Sequence, residues 1–197
     1  MRDIFARYFW NICLCESLYA PLQSLEVALR NSLHDNITSM IGTDMWFDTV
    51  DFLRRDELND IASAKTRLRI GGKPLSSSNL VAALNFGFWT SLLDRHYHWY
   101  LNWPSLVNTA FPCVPKYHRR RDTVLKRLND MRHLRNRVFH HEPIWIWANL
   151  EQRHQELCEA IQWINPQLYD ITSLIDRFHD VYSKGSVTFR SKLKTYL

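Results

Sequence analysis

Residues 18–37 read LYAPLQSLEVALRNSLHDNI, and the apolar positions in this stretch decide the fold class. Leu18, Leu22, Leu25, Leu29, Leu33 and Ile37 recur at steps of three or four, the stripe that an amphipathic α-helix buries. The spacing predicts a helix over about 18–40 and leaves a separate upstream candidate at about 3–16. Downstream, a helix over about 54–69 is expected to stop at Gly71-Gly72-Lys73-Pro74, and one over about 78–101 to stop before Trp103-Pro104. Three more are expected at about 117–141, 144–164 and 167–182. Pro143 separates the first two, because proline disfavours helical geometry in the residue before it and suits the first turn of a new helix. No alternating strand pattern competes, and only 5 glycines and 7 prolines interrupt 197 residues, so the chain reads as an all-α helical bundle.

Composition bounds the rest. A chain that is 46% hydrophobic and 23% charged can bury a substantial core, and its length suits one helical domain over 1–182 followed by a basic tail, 183–197. No apolar run reaches the roughly 18–20 residues of a membrane helix, and MRDIFARYFWN lacks the apolar centre of a signal peptide, so a cytoplasmic protein is expected. Cys13, Cys15, Cys113 and Cys158 suit a reducing compartment. The lone Cys13-x-Cys15 has no second pair at zinc spacing, and the four are read as buried thiols, with no metal and no cofactor expected.

Charge is unevenly distributed. Nine Lys or Arg against two acids between Lys116 and Arg137 give that stretch a net +7, whereas the whole chain carries +5. Lys184, Arg190, Lys192 and Lys194 make the tail basic as well. A solvated helix face explains such a pattern. So does a polyanionic partner, most simply nucleic acid, held by phosphate contacts through Arg119, Arg120, Arg121, Arg132 and Arg137.

Within the basic stretch, residues 135–143 read RNRVFHHEP. At about 100° per residue, Arg132, Asn136 and His140 share one side of a helix, while Arg135 lies about 140° around from His140. Unwinding of the last turn before Pro143, or a second copy of the chain, could bring Arg135 and His140 to one ligand. An arginine fork holds phosphate oxygens, and histidine exchanges protons near neutral pH. Together they suffice to cleave RNA through its ribose 2′-hydroxyl. The structural alternative is that histidine and arginine in a last turn complement the helix dipole. Upstream, Glu26, Arg30 and His34 stand at i, i+4, i+8 beside the leucine stripe. This is either an ordinary helix ion pair or a carboxylate that orients the later cluster.

Arg135-Asn136-Arg137-Val138-Phe139-His140 resembles the signature of HEPN domains: an arginine, a polar residue, and a histidine after four to six positions. With LYAPLQSLEVALRNSLH before it, NFGFWTSLL between and RNRVFHHEPIW behind, the run over roughly 8–150 looks like the abortive-infection (Abi-like) branch of that superfamily. The resemblance implies an all-α HEPN-like fold, often homodimeric, whose members include metal-independent endoribonucleases that act as toxins or in bacterial phage defence. Carried onto this chain, Arg135, Asn136 and His140 take the motif positions. His141 also satisfies the spacing, and Glu26 and Arg30 match the amino-terminal polar face. The expected partners are RNA as substrate, a second copy of the chain, and a regulatory RNA or antitoxin. Some HEPN proteins bind RNA without cutting it, so a non-catalytic RNA-binding module is the alternative.

The remaining motifs carry less. The aromatics of residues 85–103 are read as core, since Leu84, Phe88, Leu92 and Leu93 fall at helical spacing, with base stacking as the other use. His96 and His98, two apart, point away from each other on a helix and make a poor metal pair. Trp145 and Trp147 are expected to wall the pocket or the dimer seam. Ser76-Ser77-Ser78 reads as a loop and helix cap, and no glycine-rich phosphate loop occurs.

Overall fold

The computed structural model describes residues 1–196. Among them the secondary structure is helical, with no strand: α1 (Arg2–Ile41), α2 (Arg55–Ile70), α3 (Ser77–Ala83), α4 (Phe86–Ser91), α5 (Trp103–Ala110), α6 (Arg121–Phe139), α7 (Leu150–Ile164), α8 (Pro166–Ser173), α9 (Phe178–Lys184) and α10 (Val187–Leu193). Short 3₁₀ turns occupy Trp46–Asp48, Arg95–Tyr97 and Lys116–His118. No helix among the described residues is long and apolar enough to cross a membrane.

The two expected amino-terminal helices are one. α1 runs through Pro21, which brings no N–H for the Ser17 carbonyl, a defect of about 3 kcal/mol in an isolated helix. Buried Leu14, Leu18, Leu22 and Leu25 keep a single register on both sides of the proline, and their packing outweighs that loss.

The helix expected over 78–101 is instead broken into α3, α4 and a 3₁₀ turn. The breaks follow local caps: Asn85 Oδ1 accepts from the Phe88 amide at 2.9 Å, and Asp94 Oδ1 accepts from the His96 amide at 2.9 Å. Trp103-Pro104, expected to end a helix, opens α5, with the proline in the first turn where its missing N–H has no helical partner to lose. The 167–182 helix is likewise two, α8 and α9, since Asp176 Oδ1 takes the Phe178 amide at 2.9 Å. In the basic tail, α10 follows Gly185, whose φ of 59° ends α9 in a conformation suited to glycine.

The chain divides into two compact units. The first comprises Met1–Leu25, Asp130–Gln162 and the residues from Pro166 onward. Here the start of α1 is held by later segments. Trp10 Nε1 donates to the Val181 carbonyl at 3.0 Å, Thr172 Oγ1 bonds Ser24 Oγ at 2.9 Å, and Arg190 pairs with Asp3 at 2.7 Å.

The second unit, Glu26–Asn129 with Trp163–Asn165, is built around aromatics. Trp46 stacks on Phe47 with centroids 3.9 Å apart, and Phe88 meets Trp89 edge-on at 5.1 Å. The core reading therefore holds for Phe86, Phe88, Trp89, Tyr97 and Trp103, all buried, but not for Trp99 and Tyr100, which are 84% and 52% exposed. In the same unit the Tyr97 hydroxyl accepts from the Arg54 amide at 3.2 Å and donates to Glu57 Oε2 at 2.7 Å. Burial alone would raise the Glu57 carboxyl, but hydrogen bonds from Arg54, Tyr97 and Ser91 outweigh it and hold the group below its ordinary value.

The cysteines are not uniformly buried. Cys15 is, and burial pushes its thiol up to about 11; Cys13 and Cys158 are half-buried. Cys113 is exposed, because it sits in the turn after α5, where its amide is tied to the Trp163 carbonyl at 3.1 Å and its side chain is left outside.

Candidate functional site

The RNRVFHHEP stretch forms the carboxyl end of α6 and the turn that follows. The helix stops at Phe139, two residues before the expected end. The His140 amide still donates to the Asn136 carbonyl at 2.8 Å, so regular register holds through His140. The chain then reverses at His141, whose φ of 59° is left-handed. The His141 amide bonds the Val138 carbonyl at 3.3 Å and the Glu142 amide bonds the Arg137 carbonyl at 2.9 Å, the paired bonds of a Schellman end. Glycine normally occupies that position, and a histidine there carries strain of about 1–2 kcal/mol.

A residue that the sequence did not single out holds this turn. Asn11, in α1 and 7% exposed, accepts the Ile144 amide on Oδ1 at 2.8 Å and the Trp145 amide at 3.4 Å. Its Nδ2 donates to the Glu142 carbonyl at 3.4 Å. No helix starts at 144 as expected: Asn11 holds the Ile144 and Trp145 amides, a short turn closes from the Trp147 amide to the Ile144 carbonyl at 3.1 Å, and α7 begins only at Leu150. Trp145 and Trp147 therefore lie in the turn, with Arg7 over the Trp145 ring at 5.0 Å. Arg137 and Arg153 approach the Trp147 ring at 5.2 and 4.5 Å.

The side chains divide by helix face. Arg135 lies over the Phe139 ring at 4.7 Å, and Phe139 stacks on Tyr19 at 5.0 Å. Asn136, His140 and His141 are exposed. Of the two sequence routes that would bring Arg135 and His140 together, unwinding of the last turn is therefore not used, because it begins only after His140. Arg137 is engaged locally, 3.5 Å from Glu142 Oε2. Arg132 keeps its Nε buried with no hydrogen-bond partner among the described residues.

The other predicted residues fall in the second unit. Arg119 donates to the Val114 carbonyl at 2.9 Å, and Arg121 donates to the Leu93 carbonyl at 2.6 Å and pairs with Asp122, so both guanidinium groups are anchored to backbone. Arg120 stands exposed beside a cleft of about 440 Å³ that Arg95, His98 and Trp99 also line. His96 is occupied by the Phe52 carbonyl, 3.0 Å from Nε2.

Glu26 and Arg30 also belong to this unit, separate from the one that contains Arg135 and His140. Arg30 and His34 line a cleft of about 550 Å³ with Ser77. Trp46 Nε1 donates to His34 Nδ1 at 3.1 Å, which leaves the ring proton on Nε2 to bond Ser77 Oγ at 3.0 Å. Burial lowers the His34 pKa further, so it is a neutral structural ring and not a base for Ser77. Compared with known proteins, the chain matches no family model, no curated protein and no solved structure.

Proposed function

We propose that the protein is a metal-independent, HEPN-like endoribonuclease of the abortive-infection type, acting as a homodimer through Arg135, Asn136 and His140. The observation that carries this reading is the end of α6. The carbonyls of Asn136, Arg137 and Val138 all accept backbone amides, so capping does not require the His140 ring, which stands exposed one turn from Asn136. In this reading His140 takes the ribose 2′-hydroxyl proton as that oxygen bonds to the adjacent phosphorus. The bond to the 5′-oxygen breaks and that oxygen regains a proton, while Arg135 stabilises the charge on the phosphoryl oxygens. The products are a 2′,3′-cyclic phosphate and a 5′-hydroxyl. Because Arg135 and His140 remain about 140° apart on a regular helix, a second copy of α6 supplies the partner for each.

The test is incubation of the protein with a mixed RNA pool in EDTA, with end analysis, beside His140→Ala and Arg135→Ala. Cyclic phosphate ends that vanish in both variants support the enzyme, and a fully active monomer at assay concentration rules out the dimeric arrangement. A second reading, an RNA-binding module held by a regulatory RNA or antitoxin, is favoured by Trp99: an exposed indole beside Arg95, His98 and Arg120 is a stacking platform within a basic cleft. It predicts salt-sensitive RNA binding without cleavage.

A further inference from the structure

α7 carries His154 and Cys158 one turn apart, and the segment before α9 brings Asp176 to them. His154 Nε2 lies 2.6 Å from Asp176 Oδ2 and 3.7 Å from Cys158 Sγ, and Sγ lies 3.9 Å from Oδ2. The groups are firmly held. The His154 and Asp176 side chains are only 4% and 13% exposed, buried Phe178 stacks on the imidazole at 4.2 Å, and the Phe178 amide fixes the other carboxylate oxygen.

Two chemistries use such a trio. A cysteine nucleophile relay needs the carboxylate on one ring nitrogen and the thiol on the other. Here both meet Nε2, while Nδ1 is buried with no hydrogen-bond partner among the described residues, so a relay is not formed. A metal ion needs the three atoms around one point. With Zn–S of about 2.3 Å and Zn–N or Zn–O of about 2.0–2.1 Å, a tetrahedron places sulfur about 3.6 Å from nitrogen and oxygen, and nitrogen about 3.3 Å from oxygen. The two sulfur distances already match within roughly 0.3 Å. Only the nitrogen–oxygen hydrogen bond must open, by roughly 0.7 Å.

We propose that His154, Cys158 and Asp176 form a zinc-binding site whose fourth position, open to a cavity of about 410 Å³, is taken by water or by His179. One thiolate, one imidazole and one carboxylate suit zinc and not the oxygen-seeking magnesium or calcium. His179 lines the same cavity, its ring centroid 5.2 Å from that of His154. The ion would tie α7 to the α8–α9 segment.

The test uses the full chain, stripped of metal under reducing conditions and titrated with Co²⁺ and then Zn²⁺, so that neither readout involves RNA or depends on the ribonuclease reading. The expected result is one Co²⁺ per chain with thiolate-to-cobalt charge-transfer absorption, bleached by one equivalent of Zn²⁺, and a melting temperature that rises with Zn²⁺. Cys158→Ser should abolish the absorption and weaken uptake at least about tenfold, as expected when a first ligand is lost. Cys113→Ser should change neither. Absence of uptake by the wild type overturns the site whether or not any variant folds, and so does a charge-transfer band that survives in Cys158→Ser.

Discussion

Replacing Asn11 with alanine removes the acceptor of one well-formed buried bond, Ile144 N–H to Oδ1 at 2.8 Å, and two longer contacts at 3.4 Å. The Ile144 amide belongs to a fully buried residue, so leaving it unpaired costs about 1–3 kcal/mol. Each longer contact lies beyond the usual N–H···O range and adds roughly 0.5 kcal/mol or less. The expected loss is therefore about 1–4 kcal/mol. With a urea slope of about 2 kcal/mol/M, the midpoint falls by roughly 0.5–2 M, and the melting temperature by about 2–16 °C. Urea unfolding combined with amide hydrogen exchange makes the measurement specific: the Ile144 amide should lose its protection in Asn11→Ala while amides in the middle of α7 keep theirs. A loss under about 0.5 kcal/mol with Ile144 still protected would refute the assignment of Asn11 as the group that holds this turn.

Three further outcomes are expected. His141→Gly relieves the left-handed strain and should stabilise the protein by about 0.5–1 kcal/mol in denaturant unfolding, with cleavage retained if His140 is the acting histidine. Glu57, held below its ordinary pKa near 4.5, contributes its full stability above that value and loses it as the pH falls through the lower folded value, so Glu57→Gln should flatten the acid limb of a stability–pH curve. Trp99→Ala should change stability by less than about 0.5 kcal/mol but weaken single-stranded RNA binding by about 5- to 150-fold in a titration, the 1–3 kcal/mol of one stacked base.

The all-α class is legible in the sequence because the spacing from Leu18 to Ile37 is a local property that one buried helix face enforces. Helix boundaries are legible only where the stop is equally local, as at Gly71 after α2. Within residues 78–101 the apolar run conceals two interruptions, since Asn85 and Asp94 cap backbone that helical spacing alone would continue. The start of α7 is not legible locally, because the turn before it is held by Asn11, a residue remote in the chain. At the candidate sites the same distinction holds. The Asn136-to-His140 spacing is written in the chain, and so is the i, i+4 spacing of His154 and Cys158. The approach of Asp176 has no local signature, nor does the capture of Arg119 and Arg121 by backbone carbonyls.

The bond from Ile144 to Asn11 joins residues 133 apart in the chain. At a synthesis rate of about 5–20 residues per second, the acceptor is made roughly 7–27 s before its donor. During that interval the face of α1 that carries Leu14, Leu18 and Leu22 has emerged without the segments that later cover it, a natural target for a chaperone. The long-range anchor of the histidine turn therefore forms only once residue 144 has been made, well after the helix that carries its acceptor.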